Sequence, residues 1–488
     1  MTVLLLTPIL VPAVASFVTL ARGWRRWTSM ATVLSGVVVL VCGVALGLRI
    51  GAGQHLAAGG LLRADALVVT MLIVIGAIGT LAGWASIGYI DTELADGHTD
   101  AGGARLYGAL SPAFLSAMVI VVCANNIGLA WVAIEATTVV TAFLVGHRRT
   151  RGALEATWKY VIVCSVGIAV AFLGTVLLYF AAEHAGAPAG HALDLDVLLD
   201  HAGGLDPGVA RLAGGLLLIG YGAKAGLFPF HTWLADAHSQ APAPVSALMS
   251  GVLLSVALSV LVRLKPIIDA GVGTAFLRSG LLVIGLATLL VAALMLVVTA
   301  DIKRMLAYSS MENMGLIAIA AAAGTSLAIA ALLLHIVAHG IGKTVLFVSA
   351  GQLQSAHGST AIDDITGVLR RSRMIGVSFA VGTVVLLGLP PFAMFASELA
   401  IARSLAGARL AWVLGVSVLL IAIAFTALAR NTGRLLLGSS PGAPVISVPG
   451  SVAAALLVGV IACVVLGITV GPLGELFAAA ADVVGAAR

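Results

Sequence analysis

The sequence predicts an all-α polytopic membrane protein of about 14 transmembrane helices, with an inverted repeat that contains broken helices. Three observations carry that prediction. The 488 residues are 60% hydrophobic and 10% charged, with a mean hydropathy of +1.13, values outside every soluble class. Apolar stretches of about 20 residues, enough to cross a bilayer, recur along the chain. Two of them carry matching proline breaks, Gly226-Leu-Phe-Pro-Phe230 and Gly388-Leu-Pro-Pro-Phe392. These breaks lie five spans apart, and an odd offset gives the two copies opposite orientation. Paired broken helices in inverted repeats point to a transporter-type site.

Taken in order, the spans fall at roughly 2–21, 30–48, 66–90, 108–124, 127–146, 158–181, 209–230, 244–264, 276–299, 305–323, 327–350, 375–401, 410–429 and 450–471, each about 20 apolar residues. The first is apolar from Val3 to Leu20, and its charges, Arg22, Arg25 and Arg26, come after that run. A cleaved signal carries its charges before the run, so this reads as a first span that stays. Gly-Ala-Gly at 51–53 reads as a loop. There is no P-loop and no G-x-G-x-x-G after a strand, and the other glycines read as helix-packing residues. Asn125-Asn126 and Gly324-Thr325 mark tight boundaries, and an acidic loop (Glu183, Asp194, Asp196, Asp200, Asp206) follows the sixth span.

Lysine and arginine divide 14 to 9 between the two sets of loops. Arg105, Arg148, Arg149, Arg151, Lys303 and Arg304 fall on the richer side; Arg63, Arg263, Lys265 and Arg488 fall on the other. The richer side faces the cytoplasm. That puts the N-terminus outside, and an even number of spans puts the C-terminus outside with it. The net charge of +5 comes from loop arginines. No basic run interleaves with aromatics, so it is not a nucleic-acid signature. Cys42, Cys123, Cys164 and Cys463 all lie in apolar stretches with no C-x-x-C, which excludes a protein-held iron–sulfur cluster by the usual spacings. Any redox chemistry belongs to a partner.

The chain is organised around residues 221–251. The seventh span reaches Lys224, is weakened by Gly222 and Gly226, and is expected to break at Pro229. Proline lacks an N–H, so the Ala225 carbonyl should lose its helical partner. Irregular backbone survives at membrane depth only where protein or internal water satisfies it, and an intramembrane lysine is a functional-site hypothesis by default. Pro390 and Pro391 make the second break. Glu135 lies mid-span in the fifth helix, where an unpaired carboxylate is costly; its expected partner is Lys224. A pair at about 4 Å is worth about 4 kcal/mol at an effective dielectric near 20, so moving Glu135 relative to Lys224 would load or release a proton. His335, His339 and Lys343 fall at i, i+4 and i+8, one polar stripe about 12 Å long. Histidine titrates near neutrality and a desolvated lysine can be brought there, which suits proton hopping. Glu398 either ends such a path or faces water at a helix end. Glu312 and Lys159 are weaker candidates, Lys159 being near enough to the surface to snorkel. Asp301, Lys303 and Arg304 read as a surface loop. His231, Asp236 and His238 match no strong zinc spacing and read as a polar turn or a route for proton uptake. No metal site is assigned.

Lys224 to Gly251 (KAGLFPFHTWLADAHSQAPAPVSALMSG) resembles the antiporter-like membrane subunits of respiratory complex I, membrane-bound hydrogenases and multisubunit cation/proton antiporters. The run Asp301-Ile-Lys-Arg-Met-Leu-Ala-Tyr-Ser-Ser310 and the His335–Lys343 stretch resemble the same family, over roughly 105–430. The hydrogenase-4 component F branch is the most similar, through Asp-Ala-His-Ser-Gln-Ala-Pro-Ala-Pro, Ser-Ser-Met-Glu-Asn-Met-Gly and Gly-Leu-Pro-Pro-Phe with Ser397-Glu398. The resemblance implies two inverted five-helix repeats, spans 4–8 and 9–13. It divides the chain into 1–104, 105–265, 266–430 and 431–488. It also implies proton translocation in a bacterial cell membrane, driven by iron–sulfur and nickel–iron or flavin centres in partner subunits. Glu135, Lys224, His335, His339, Lys343 and Glu398 match the family's relay, and Lys159 and Glu312 fall at positions often polar in relatives. Two departures are the expected absence of a long lateral helix after span 14 and Ala235, where many relatives carry proline. A multisubunit Na⁺(K⁺)/H⁺ antiporter without redox activity is the alternative reading.

Overall fold

The computed structural model describes residues 2–50, 56–58, 60–438 and 446–485; the loop expected at 51–53 and Arg488 lie outside those residues. Helices α1 (Thr2–Arg22), α2 (Arg26–Gly47), α3 (Ala66–Ala95), α4 (Ala101–Cys123), α5 (Ile127–Val145) and α6 (Arg151–His184) are the first six spans. A hairpin, β1 (Leu56–Ala58) and β2 (Leu62–Ala64), precedes α3, and α7 (Leu195–His201) is a short helix in the acidic loop. The seventh span is split into α8 (Pro207–Lys224) and α9 (Thr232–Gln240). The eighth runs through α10 (Ala243–Leu248), a π-helical turn (Met249–Leu253) and α11 (Leu254–Val272). Then come α12 (Ala275–Val298), α13 (Ile302–Ala323) and α14 (Ser326–His357). The single turn α15 (Val368–Arg371) leads to the split twelfth span, α16 (Arg373–Leu386) and α17 (Ala393–Gly407). Last are α18 (Ala411–Leu437), α19 (Gly450–Ile468) and α20 (Leu473–Val483).

Counting α10–α11 as one, 11 helices among the described residues are long and apolar enough to cross a membrane. The two split spans and α13, which carries Lys303, Arg304 and Glu312, bring the set to the fourteen expected. The molecule is thus an all-α polytopic membrane protein. Its apolar side chains point both ways, as lipid-facing helices require: Phe17, Val283 and Val298 are exposed while the most apolar stretches of α14 and α10–α11 are wholly enclosed. Apolar runs give no hint of α20, which is too short to span; it packs on α3 and α14.

Both split spans stop at a glycine before any proline is reached. Gly226 (φ +74°) and Gly388 (φ +59°) are left-handed. At the first, Leu227 N–H donates to the Gly222 carbonyl (2.9 Å) and Gly226 N–H to Ala223 (3.2 Å); at the second, Leu389 N–H donates to Val384 (3.3 Å) and Gly388 N–H to Val385 (3.1 Å). This paired pattern is the Schellman cap, which needs a left-handed residue just past the helix. The expected break at Pro229 is therefore moved back: α8 has ended at Lys224, and Pro229, Pro390 and Pro391 only keep the chain from re-entering the helix.

A second pairing also occurs twice. Asn126 forms an antiparallel bridge with Asp194, and Asp301 with Ala361. Ile127 N–H donates to Leu193 (3.0 Å) and Leu195 N–H to Asn125 (2.8 Å); Ile302 N–H donates to Thr360 (2.8 Å) and Ile362 N–H to Ala300 (2.8 Å). Each bridge ties the start of a repeat's second helix to the segment after its third. Five spans separate α5 from α13, so the bridges lie at opposite faces of the membrane.

One corner is held by charge. Asp65, fully buried, caps α3 through Val68 N–H (3.0 Å) and takes a two-pronged pair from Arg263 (2.7 and 3.0 Å) plus Arg63 (3.1 Å). Burial alone would raise its carboxyl; the two guanidiniums and the cap outweigh it and hold the group down to about 2. Arg63 also reaches Asp196 in α7 (2.8 Å).

Candidate functional site

Lys224 is the last residue of α8 and is fully buried. Its Nζ donates to Thr138 Oγ1 on α5 (2.7 Å) and Tyr160 Oη on α6 (2.7 Å), and it sits 4.9 Å from the Tyr160 ring centre. Tyr160 Oη also shares a short hydrogen bond with Thr141. Glu135, one turn before Thr138, accepts from Ser165 Oγ on α6 (2.8 Å), and its Oε2 is buried without a partner. The expected direct contact between Glu135 and Lys224 is absent from the ion pairs among the described residues. The ammonium instead bonds neutral hydroxyls, one of them Thr138, one turn along α5 from Glu135. Carboxylate and ammonium are thus near neighbours without being locked together.

Lys159, a weaker candidate, and Tyr160, which the sequence does not mark, part by one helical step. Adjacent helical residues point about 100° apart. Lys159 therefore faces outward, paired with Glu155 (2.7 Å) and Asp236 (2.9 Å), while Tyr160 faces the core. A tyrosine in an apolar run gives no signal by itself.

The second cluster surrounds α14. His335 Nδ1 lies 2.9 Å from Ser397 Oγ on α17, and Nε2 lies 2.8 Å from Asn313 Oδ1 on α13. The Asn313 amide donates to the Ser309 carbonyl (2.6 Å). That turns its oxygen to the imidazole. The His339 ring is parallel to His335 at 6.5 Å; both of its nitrogens are buried without partners. Lys343 donates to the Leu306 carbonyl (2.7 Å) and, by a short bond, to Ser309 Oγ. The next residue, Ser310, meets Ser250 of the π-turn (2.7 Å). Gly251 and Gly340 cross backbone to backbone beside His339; a Cβ on Gly340 would come 2.8 Å from the Gly251 carbonyl. Glu398, half-buried, folds back onto the second break, where any side chain on Gly388 would overlap its carboxylate. Glu312, also half-buried, lies one turn past Ser309, the hydroxyl partner of Lys343, on α13.

Other residues depart from expectation. Lys303, expected in a surface loop, is buried, with Nζ donating to the Ala241 carbonyl (2.6 Å) and Gln354 Oε1 (3.3 Å). Asp301 caps α13 through Arg304 N–H (2.8 Å), and Arg304 pairs with Asp236 (2.8 Å). His231 sits half-buried at the first break, stacked on Phe228 (5.8 Å). His238 is fully buried against Phe347 of α14 (5.2 Å), with both nitrogens unpartnered. His231, Asp236 and His238 do not converge, and among the described residues no group of three His, Cys, Asp or Glu side chains could hold a metal. The four cysteines are buried and free.

Comparison with known proteins extends this picture. A family profile described as NADH:quinone oxidoreductase/Mrp antiporter, transmembrane, matches residues 124–426, a range that takes in both breaks and both lysines. The chain is 38% identical over 340 residues to a protein named hydrogenase-4 component F homolog from Methylacidiphilum infernorum, covering 70% of this chain and 71% of that one. Its fold matches a chain of the archaeal membrane-bound sulfane sulfur reductase with a TM-score of 0.89 at 22% identity, covering 99% of this chain and 98% of the other. It also matches a chain of respiratory complex I from Thermus thermophilus with a TM-score of 0.82 at 21% identity, covering 99% and 100%. By the extent of the profile match and the identity to its relative, the chain belongs to the antiporter-like membrane-subunit family of NADH:quinone oxidoreductases and Mrp antiporters.

Proposed function

We propose that this chain is the proton-translocating membrane subunit of a hydrogenase-4-like or NADH-quinone-oxidoreductase-like complex in a bacterial cell membrane. Protons pass along Glu135, Lys224, Lys343, His339, His335 and Glu398, with Glu312 and His231 as accessory groups; the exposed Lys159 serves at the margin. The chain has its four parts at 1–104, 105–265, 266–430 and 431–488, and both termini lie outside. Iron–sulfur and nickel–iron or flavin centres sit in peripheral partners, and other membrane subunits of the same family stand beside it.

The observation that supports this reading is the pair of fully buried lysines, Lys224 and Lys343, that bond hydroxyls and a carbonyl and lack a carboxylate counter-ion within 4.0 Å among the described residues. A buried ammonium so held is costly and is readily neutralised. Moving a carboxylate such as Glu135 or Glu312 toward or away from it tips that balance, which is what loading and releasing a proton requires.

Affinity purification in mild detergent, with mass spectrometry of the partners, tests the redox half. A nickel–iron hydrogenase-like large subunit or NADH-oxidising subunits are expected; small hydrophobic antiporter subunits alone would replace it with the cation-antiporter reading. Lys224→Ala and Lys343→Ala test the relay. Donor-driven proton pumping should vanish in each assembled variant, and unchanged pumping in both would remove the relay.

A further inference from the structure

A cavity of about 660 Å³ opens on the outer surface between α4, α5 and α6. Its walls are apolar, with Val139, Phe143, Leu154, Trp158 and Val161 facing it, and Phe143 and Trp158 exposed where the bilayer would be. Along α6 it runs from Leu154 to Ser165, about eleven residues or roughly 16 Å of helix. That is close to one leaflet of a hydrocarbon core roughly 30 Å thick. Arg149 lines the open end. Exposed Arg105 and Arg151 come next to it in the chain, Arg105 beside lining Leu106 on α4 and Arg151 three residues before lining Leu154 on α6. Of the nearby acids, Asp100 is engaged in capping α4 through Gly103 N–H (2.6 Å) and Glu155 pairs with Lys159 (2.7 Å).

We infer that this groove is a binding site for an anionic phospholipid, its phosphate on Arg105, Arg149 and Arg151 and one acyl chain laid along α5 and α6. Length, apolar lining and charge agree on that occupant: a leaflet-deep slot closed at mid-membrane and basic at its mouth. Basic pockets between spans on the arginine-rich side are where anionic headgroups collect. The floor of the groove is Thr138 and Ser165, the hydroxyls that hold Lys224 and Glu135. The chain end of the bound lipid thus closes the membrane side of that cluster to water. This inference does not depend on what the relay carries.

The test uses the intact complex, exchanged into vesicles of equal phosphatidylglycerol and phosphatidylcholine, washed, and analysed by mass spectrometry for retained lipid. Wild type should retain phosphatidylglycerol about tenfold or more over phosphatidylcholine. Arg105→Gln/Arg149→Gln/Arg151→Gln together should abolish that preference, and Val139→Trp, which fills the groove, should lower retention of both. Unchanged retention in both variants would overturn the site. An otherwise wild-type complex carrying Phe143→p-benzoylphenylalanine gives an independent reading. Photo-adducts to phospholipid support the site, and adducts to a neighbouring subunit overturn it.

Discussion

Tyr160 and His335 are each the tenth residue of the third helix of their repeat, α6 and α14, yet they do opposite things. Tyr160 holds an ammonium that the broken helix brings to it. His335 is itself held, between Asn313 and Ser397, and the ammonium sits two turns along its own helix at Lys343. The broken helices differ in the same way: Lys224 is the last residue of α8, and Leu386 is the last residue of α16, each two residues before a left-handed glycine. The two repeats therefore share backbone devices, the Schellman cap and the antiparallel bridge, while placing charge differently. Fold and chemistry are separable in this molecule, because main-chain hydrogen bonds set the first and a few side chains set the second.

The largest expected effect asks whether the two placements work in series. Lys224→Met and Lys343→Met should each abolish donor-driven pumping in reconstituted complex. Loss in only one would mean the repeats act independently. Next comes the charged corner, which ties the first repeat to α3 through Arg263. Asp65→Asn should cost about 3–5 kcal/mol in unfolding measurements, because it takes the carboxylate from the enclosed Arg263 guanidinium, while Arg63 keeps Asp196. The same carboxyl gives the wild type an acid limit. Its folded value near 2 lies below the usual unfolded value of about 3.9. Its contribution, roughly 2–3 kcal/mol, is present above about pH 4 and is lost as pH falls toward 2; Asp65→Asn should flatten that part of the profile.

Smaller effects compare the two lysine sites directly. Thr138→Val and Ser309→Ala each remove one hydroxyl from a buried ammonium, worth about 1.5–3 kcal/mol, and each should slow pumping without abolishing it. Equal slowing would show that the two ammoniums depend on hydroxyls alike. The caps are smallest in stability. Gly226→Ala and Gly388→Ala should each cost about 1–2 kcal/mol for a left-handed alanine. They should part in function, since a methyl at 226 meets Leu234 (2.7 Å) while one at 388 displaces the Glu398 carboxylate. Thermal melts beside pumping assays separate the two.

Much of this was legible in the sequence, because lipid imposes long apolar runs and forbids free backbone, so the fourteen spans and both breaks stand out. Proline drew attention to the breaks, but glycine makes them: capping geometry depends on φ, and nothing in composition reports φ. Lys303 reads as a loop residue by its neighbours Asp301 and Arg304, yet one helical step turns it inward. Tyr160 and Thr138 were missed for a related reason. Neutral hydroxyls look ordinary in a membrane span until a buried lysine is found against them. The short helices α7 and α20 lie below the length at which apolar pattern gives a signal.

The antiparallel bridges carry one more consequence. Each closes a two-helix hairpin at its open end: α5–α6 is joined by residues 146–150 at one face and by Asn126–Asp194 at the other, and α13–α14 by Gly324-Thr325 and Asp301–Ala361. Such a closed ring works as a stator. It holds the backbone that carries Glu135, Tyr160, His335, His339 and Lys343 and leaves their side chains free to turn. Backbone displacement, if pumping needs one, is then expected in the half-helices that end at a glycine cap, α8 and α16, which no such bridge closes.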